Sequence, residues 1–396
     1  MTLSKRLDFF AESKTLKMAK LSRELSAQGI DIINLTLGEP DFATPIHVIN
    51  AAKKAMDDGF TKYPPVAGYL DLKQAICQKF KTDNSLEYTP DEIVVSTGAK
   101  QSIMNVILSV VNPGDEVIIP TPYWVSYSEM VKFAEGIPVL VDATVEQNYK
   151  VSANQIEAAI TSKTKLFMFS SPCNPSGSIW NKEELAVLAD VLKKYPQIFI
   201  LSDEIYEHIN FIGRHESIAQ FDFLKERVII VNGVSKGFAM TGWRLGYIGA
   251  SKEVAQACEK IQGQFTSGAN SIAQRAALAA LTSDLKPTYE MQVAYQRRRD
   301  LVVNLSKEIK GFNCNTPEGA FYLFPDVRYY FGKSDGASKI NNAEDLCMYL
   351  LDTAHVSLVS GDAFGTDTCI RISFATADEK LVEAFARMKK ALDKLK

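Results

Sequence analysis

Residues 232–244 read Asn-Gly-Val-Ser-Lys-Gly-Phe-Ala-Met-Thr-Gly-Trp-Arg, so that a lysine, Lys236, stands among apolar and small residues. A cation in such surroundings is poorly solvated, which lowers its pKa and frees its amine as a nucleophile. A second cation, Arg244, closes the stretch. Asp203 stands at the end of another apolar run, in SDEIYEH (202–208). An acid there is costly unless partnered, and a helix N-cap would be the plainest reason for it. Thr97-Gly98-Ala99-Lys100-Gln101 follow EIVVS (92–96) and lead into a helical pattern. Free N–H groups and the helix dipole at such a start point at an anion. The turn matches neither a P-loop nor a dinucleotide-binding glycine pattern, and an ordinary strand-to-helix turn has the same composition. Trp124, in TPYW, either packs in the core or stacks on a planar ring. Asn174, between two prolines in SPCNPSG (171–177), either caps its turn or offers its amide to a ligand.

Each of these stretches follows a short apolar run, and the runs alternate with helical patterns. EIVVS (92–96), EVIIP (116–120), KLFMFS (165–170), IFILS (198–202) and RVIIV (227–231) read as buried strands. Residues 68–81 place Leu72, Ile76 and Phe80 on one helical face; residues 182–195 do so with Leu185, Leu188 and Leu192, with Asn181 as N-cap. This alternation predicts a mainly parallel sheet covered by helices, with ligands collecting at the carboxyl ends of the strands. The end of the chain differs. A helix is expected over about 289–310, strands at AFYLF (320–324) and CIRIS (369–373), and a last amphipathic helix capped by Thr376 with Glu379. These predict a smaller α+β domain, against which the first 40 or so residues pack. The expected division is 1–45 as an N-terminal segment packing with the small domain, 46–288 as the large domain and 289–396 as the small one.

Composition narrows the function classes. The chain has 396 residues, 46% of them apolar, and a net charge of −3, which gives no reason to expect nucleic acid or an anionic membrane as partner. No apolar run approaches the roughly 18 residues needed to span a bilayer, and the first residues lack the apolar stretch of a signal peptide. Six scattered cysteines without a C-x-x-C pair argue for a reducing compartment, and with four histidines far apart in sequence they offer no metal site. A cytoplasmic location is expected.

At one sheet edge, then, stand a lysine, a carboxylate and phosphate donors. Pyridoxal phosphate chemistry needs this set: an amine to form a Schiff base, a carboxylate to keep the pyridine nitrogen protonated, and amides, a hydroxyl and an arginine for the phosphate. The chain resembles the class I aminotransferases of pyridoxal-phosphate fold type I, in the branch of bacterial aspartate and prephenate aminotransferases. The matching stretches are LGEPDF (37–42), TKYPPVAG (61–68), STGAKQ (96–101), PYWVSY (122–127), SPCNPSG, SDEIYEH, SKGFAMTGWRLGY (235–247), EGAFY (318–322) and CIRIS, in family order over nearly the whole chain.

The resemblance implies a large domain with a mostly parallel seven-stranded sheet flanked by helices, beside a smaller α+β domain. It implies that Lys236 is the Schiff-base lysine and proton carrier, that Asp203 pairs with the pyridinium nitrogen, and that Tyr206 and Asn174 bond the ring oxygen. Trp124 would stack on the ring, and Gly98, Ala99, Lys100, Ser235 and Arg244 would lie about the phosphate and its turn. Tyr63 would reach the phosphate of a partner subunit, making the active unit a homodimer. Arg371, with Asn174 and the Gly38 backbone, would clamp the substrate α-carboxylate. Lys100 and Thr15 resemble side-chain-pocket residues, Lys100 for a distal carboxylate; the plainer reading of Lys100 is a solvated lysine at a helix start. Cys173 departs from the polar residue usual there. The expected reaction is ping-pong transfer from aspartate or glutamate to 2-oxoglutarate, between amino acid and 2-oxo acid substrates. Prephenate is an additional or alternative acceptor, and lyase chemistry on the same fold is a further alternative. A dehydrogenase is disfavoured by the missing G-x-G-x-x-G, and a cofactor-binding regulator by the lack of residues for a DNA-binding segment.

Overall fold

The apolar runs become strands because both faces of the sheet they form are covered. The computed structural model describes residues 3–10 and 14–396. In chain order its strands begin with β1 (Ile33–Asn34), β2 (Ile93–Ser96), β3 (Glu116–Pro120), β4 (Ile137–Val141), β5 (Thr164–Ser170) and β6 (Phe199–Asp203). They continue with β7 (Val228–Gly233), β8 (Gly246–Gly249), β9 (Tyr322–Leu323), β10 (Val356–Ser357), β11 (Val359–Ser360) and β12 (Ile370–Ser373). Seven form the main sheet, in the order β2-β8-β7-β6-β5-β3-β4. It is parallel except for β8, which runs antiparallel to both β2 and β7. Along β5, Phe167 and Phe169 enter one apolar cluster while Leu166 and Met168 enter another. Val95, Ile200 and Ile230 alternate in the same way with Val94, Leu201 and Ile229. Period-two alternation between two buried faces leaves no polar positions, and this is why the strands read as continuous apolar runs.

Two strands of this sheet were not legible in the sequence. β4 is an edge strand whose Pro138 lies opposite Val117; only an edge tolerates proline, and Ile137 and Leu140 of this strand are exposed. β8 has only four residues, two of them glycine. A side chain at Gly246 would place its Cβ 2.2 Å from the Ala99 nitrogen. Glycine there lets the sheet touch the start of the helix Ala99–Val110.

The helices follow the expected faces with small shifts. Helix Leu70–Asn84 buries Leu72, Ile76 and Phe80. Helix Lys182–Lys193 has Asn181 as N-cap, whose Oδ1 accepts from the Glu184 N–H at 2.9 Å while the Glu184 carboxylate accepts from the Asn181 N–H. The long helix is Lys286–Lys307. The last helix, Asp378–Leu392, corrects the expected capping box: its N-cap is Ala377, one residue beyond Thr376, and no side chain caps it. Instead the Asp378 carboxylate, in the first turn, takes Arg297 at 2.9 Å. The expected strand at 320–324 shrinks to Tyr322–Leu323.

A further core gathers residues from 291 to 395 together with Ile33, Leu35, Ile205, Tyr206 and Ile209. β1 pairs in parallel with β10, and β9 and β11 flank β12 antiparallel. Among the described residues no helix is long and apolar enough to cross a membrane.

Gly246→Ala tests the close approach of sheet and helix. A methyl group against backbone cannot be relieved by a rotamer change, so a loss of about 1–3 kcal/mol is expected. A denaturant midpoint equal to the parent's would show that the two elements separate freely.

Candidate active site

Strand ends and one helix start surround a cavity of about 310 Å³. Thr15, Gly38, Ala99, Lys100, Trp124, Asn174, Asp203, Tyr206, Ser235, Lys236, Arg244 and Arg371 all line it. Gly98 stands one residue before Ala99, at the N-cap, with φ +84° and no side-chain cap. A Cβ on Gly98 would lie 2.5 Å from Arg244 Nη2, so this turn must be glycine for the guanidinium to lie over the helix start. Arg244 is itself left-handed at φ 54°, and its Nη1 donates to the Thr241 carbonyl at 2.8 Å. Of the expected residues only Tyr63 lies away from the cavity, 95% exposed.

Asp203 ends β6, and a turn rather than a helix follows it, which removes the helix-cap explanation. Its Oδ2 accepts from the Tyr127 hydroxyl at 2.6 Å and its Oδ1 from the Ile205 N–H at 3.2 Å. Burial pushes its pKa up to about 6 against these bonds, and Glu204 adds to the rise. Lys236 donates from Nζ to the Gly38 carbonyl at 2.5 Å. Enclosure of its amine lowers the pKa to about 8, with Arg371 and Arg244 pushing the same way. Both groups are thus moved toward neutrality, the direction that readies an amine to attack a carbonyl.

Arg371, on β12, is buried between the rings of Tyr322 and Phe364, 4.5 and 4.7 Å from their centroids. Its Nη1 donates to Asn174 Oδ1 at 3.0 Å and its Nη2 to the Thr36 carbonyl at 2.6 Å. Nε is buried without a partner among the described residues. A guanidinium with an unused buried donor fits an incoming carboxylate. Lys100 Nζ lies 5.4 Å from the Trp124 ring centroid, and partial desolvation with Arg244 nearby lowers its pKa. Cys173 is buried beside Asn174, facing the Pro122 carbonyl at 3.5 Å.

Sequence reasoning missed several neighbours. Tyr127 stands three residues after Trp124, and its ring meets Trp124 edge-on at 5.6 Å, a spacing that could have flagged it. Tyr322, inside EGAFY, bonds Tyr206 hydroxyl to hydroxyl at 2.7 Å. The expectation that the histidines lie far apart fails for two of them: His208 and His215 stand seven residues apart in sequence and join Glu204, Glu207 and Lys79 in one network of ion pairs. Burial would raise Glu207, but Lys79 and both histidines outweigh it and hold its pKa at about 2.

An enclosed amine, a buried carboxylate and an uncapped helix start under an arginine share one cavity. Glycine at 98 lets the Arg244 guanidinium lie over the uncapped helix start, a donor set that suits a phosphate, so these residues fit pyridoxal phosphate. The fold and this set define a pyridoxal-phosphate enzyme of fold type I.

Residues 30–388 match the family model described as aminotransferase class I and II. An aspartate/prephenate aminotransferase of Nitrosomonas europaea is 46% identical over 98% of this chain and 99% of its own length. The crystal structure of an aspartate aminotransferase from Rhizobium meliloti superposes with a TM-score of 0.97 at 42% identity, covering 100% of both chains. A Thermus thermophilus aspartate aminotransferase with maleate gives a TM-score of 0.93 at 38% identity, over 99% of this chain and 100% of that one. The chain belongs to the class I and II aminotransferases, and is a pyridoxal-phosphate-dependent enzyme.

The raised Asp203 pKa makes a stability prediction for the cofactor-free protein. Between the ordinary 3.8 and about 6 the unfolded chain is ionised while the folded one keeps its proton, so stability falls as pH rises through that window and is level above it. Asp203→Asn removes this loss. The variant should gain on the parent from pH 4 to 6, reaching up to about 3 kcal/mol at pH 7 by the conversion of about 1.4 kcal/mol per unit. Urea unfolding of both proteins at pH 4, 5, 6 and 7 checks this; a gap that does not widen with pH contradicts it.

Proposed function

We propose that this enzyme transfers the amino group of aspartate or glutamate to 2-oxoglutarate by ping-pong turnover. The observation that carries this reading is the placing of two cations, Arg371 and Lys100, on the wall of the cavity that also holds Lys236 and Asp203. Arg371 binds the α-carboxylate that every amino acid has, held in plane by Asn174 and Thr36. Lys100, over Trp124, binds the distal carboxylate. The neighbour from Thermus thermophilus holds maleate, itself a dicarboxylate, which supports the same pairing. Prephenate as a second acceptor is supported by the printed name of the Nitrosomonas europaea relative and by Thr15 on the cavity wall.

When bound, pyridoxal phosphate supplies an electron sink for the pair released as the substrate Cα–H bond breaks. Lys236 Nζ would hold the cofactor, and its amine, lowered in pKa by enclosure, would take and carry the proton that leaves the substrate Cα. Asp203 would keep a proton on the ring nitrogen, and Tyr206 and Asn174 would bond the ring oxygen. Trp124 would cover the ring, while Gly98, Ala99, Ser235 and Arg244 would hold the phosphate, with Lys100 at the same turn. The Gly38 backbone borders the substrate.

The working unit is a homodimer. Tyr63 lies exposed and outside its own cavity, and an adjoining depression of about 980 Å³ is walled by Phe10, Met104, Leu108, Phe133, Leu140 and Phe265. A second copy covers that depression and receives Tyr63. We also propose a division into 46–288 as the large domain and 289–396 as the small one, with 1–45 packed on the latter. A cytoplasmic location belongs to the same reading and is supported by six unpaired cysteines.

Lys236→Ala should fold, as judged by circular dichroism, and lose transamination by more than the roughly 10²–10⁴-fold that acid–base help alone supplies. Trapping of cofactor by borohydride on another pocket lysine would displace Lys236 from its role.

Lys100→Ala should weaken aspartate and glutamate by about 10–150-fold in kcat/KM, the worth of one charge-assisted contact, while sparing alanine and phenylalanine. Rates with all donors, crossed with 2-oxoglutarate, oxaloacetate and prephenate, check both substrate and acceptor. An equal fall for every donor, or none, overturns the distal-carboxylate assignment.

A further inference from the structure

Tyr322 touches two groups of the site at once. Its hydroxyl is 2.7 Å from that of Tyr206, and its ring face lies 4.5 Å from the Arg371 guanidinium. It sits on β9, where Tyr322 pairs with Ser373 of β12, two residues from Arg371. Across the cavity it meets the backbone of Gly38, where a Cβ would lie 2.7 Å from the phenolic oxygen; a larger residue at 38 would push Tyr322 away. Both phenols are buried, so their hydrogen bonding is a closed account.

Each phenol has one proton to give. Among the described residues Tyr206 is the sole hydrogen-bond partner of the Tyr322 hydroxyl. If Tyr206 gave its proton to Tyr322, it would have none for a ligand in the cavity, and the Tyr322 proton would be left unbonded in a buried site. The opposite direction uses the Tyr322 proton and leaves that of Tyr206 for a ligand in the cavity. We infer that Tyr322 is a positioning residue for transamination: its hydroxyl donates to Tyr206, which turns the single Tyr206 proton toward the cofactor's ring oxygen, while its ring holds the Arg371 guanidinium in the plane that meets the substrate carboxylate. This inference rests on the roles proposed above for Tyr206 and Arg371. Hydrogen bonds in series strengthen one another, so Tyr206 becomes the better donor for being an acceptor. One side chain thereby sets both the group that tunes the cofactor and the group that orients the substrate.

The two contacts separate by mutation. Tyr322→Phe removes the hydroxyl and keeps the ring; Tyr322→Leu removes both. The readout that a merely structural role would not move is the absorbance pKa of the lysine-bound cofactor, titrated without substrate. Losing part of a hydrogen bond to the ring-oxygen anion raises that pKa, by about half to one unit for Tyr322→Phe. KM for aspartate should stay within about twofold in this variant and rise about tenfold in Tyr322→Leu, where the cation–π support of Arg371 is gone. In a Tyr206→Phe background, Tyr322→Phe should shift the absorbance pKa no further, because the relay has lost its middle member. Circular dichroism establishes that each variant is folded. An unmoved absorbance pKa in Tyr322→Phe, with Tyr206→Phe shifting it, overturns this inference alone. If neither variant shifts it, the Tyr206 assignment fails as well. A shift of equal size in both backgrounds overturns the relay, since Tyr322 would then act independently of Tyr206.

Discussion

The structure depends on keeping one amine and one carboxylate out of water in the same cavity without letting them neutralise each other by direct contact. Lys236 donates to the Gly38 carbonyl, and Asp203 is held by Tyr127 and the Ile205 N–H. Each pays with a displaced pKa, the amine downward and the acid upward. A contact ion pair would stabilise the chain more, and would leave neither group available to a third party. Function here opposes local stability, and the surrounding cores must supply the difference.

Two features make that possible. The sheet buries both faces, so every strand end is rigid and the polar groups there inherit fixed positions. The second core reaches across the cavity: Ile205, Tyr206 and Ile209, from the turn after β6, pack with β9, β12 and the helices of the chain's end. Asp203 and Tyr206 are therefore gripped from above by that core. Their chain neighbours Glu204 and Glu207 are tied down by His215, Lys79 and His208. Glycine at 98 and 246 sets the remaining clearance, since the helix start, β8 and Arg244 approach closer than any Cβ allows.

The central strands, the helical faces and the chemistry-bearing positions could be read along the chain, because each depends on local sequence. Apolar runs bounded by polar turns mark buried parallel strands, and Lys236, Asp203 and the Gly98 turn each follow one. Elements that depend on position in the sheet could not be read. β4 carries a proline only because it is an edge, and β8 is two glycines and two neighbours whose strand character comes wholly from pairing on both sides. The last helix begins one residue later than Thr376 and Glu379 suggest, because Asp378 is drawn to Arg297 and Arg298 from another helix.

By itself the sequence determined the strand-and-helix alternation, the edge at which ligands collect, and the residue types able to hold a phosphate, an amine and a carboxylate. Those follow from periodicity and from what each side chain can do. Only the tertiary structure decided what those side chains are at work. It turned Asp203 from a plausible helix cap into a buried, partly neutralised acid, brought Tyr322 from over a hundred positions away onto Tyr206, and set Arg371 between two rings with one donor unused. Burial, hydrogen-bond direction and pKa are properties of a neighbourhood, and the neighbours come from parts of the chain that no local pattern connects.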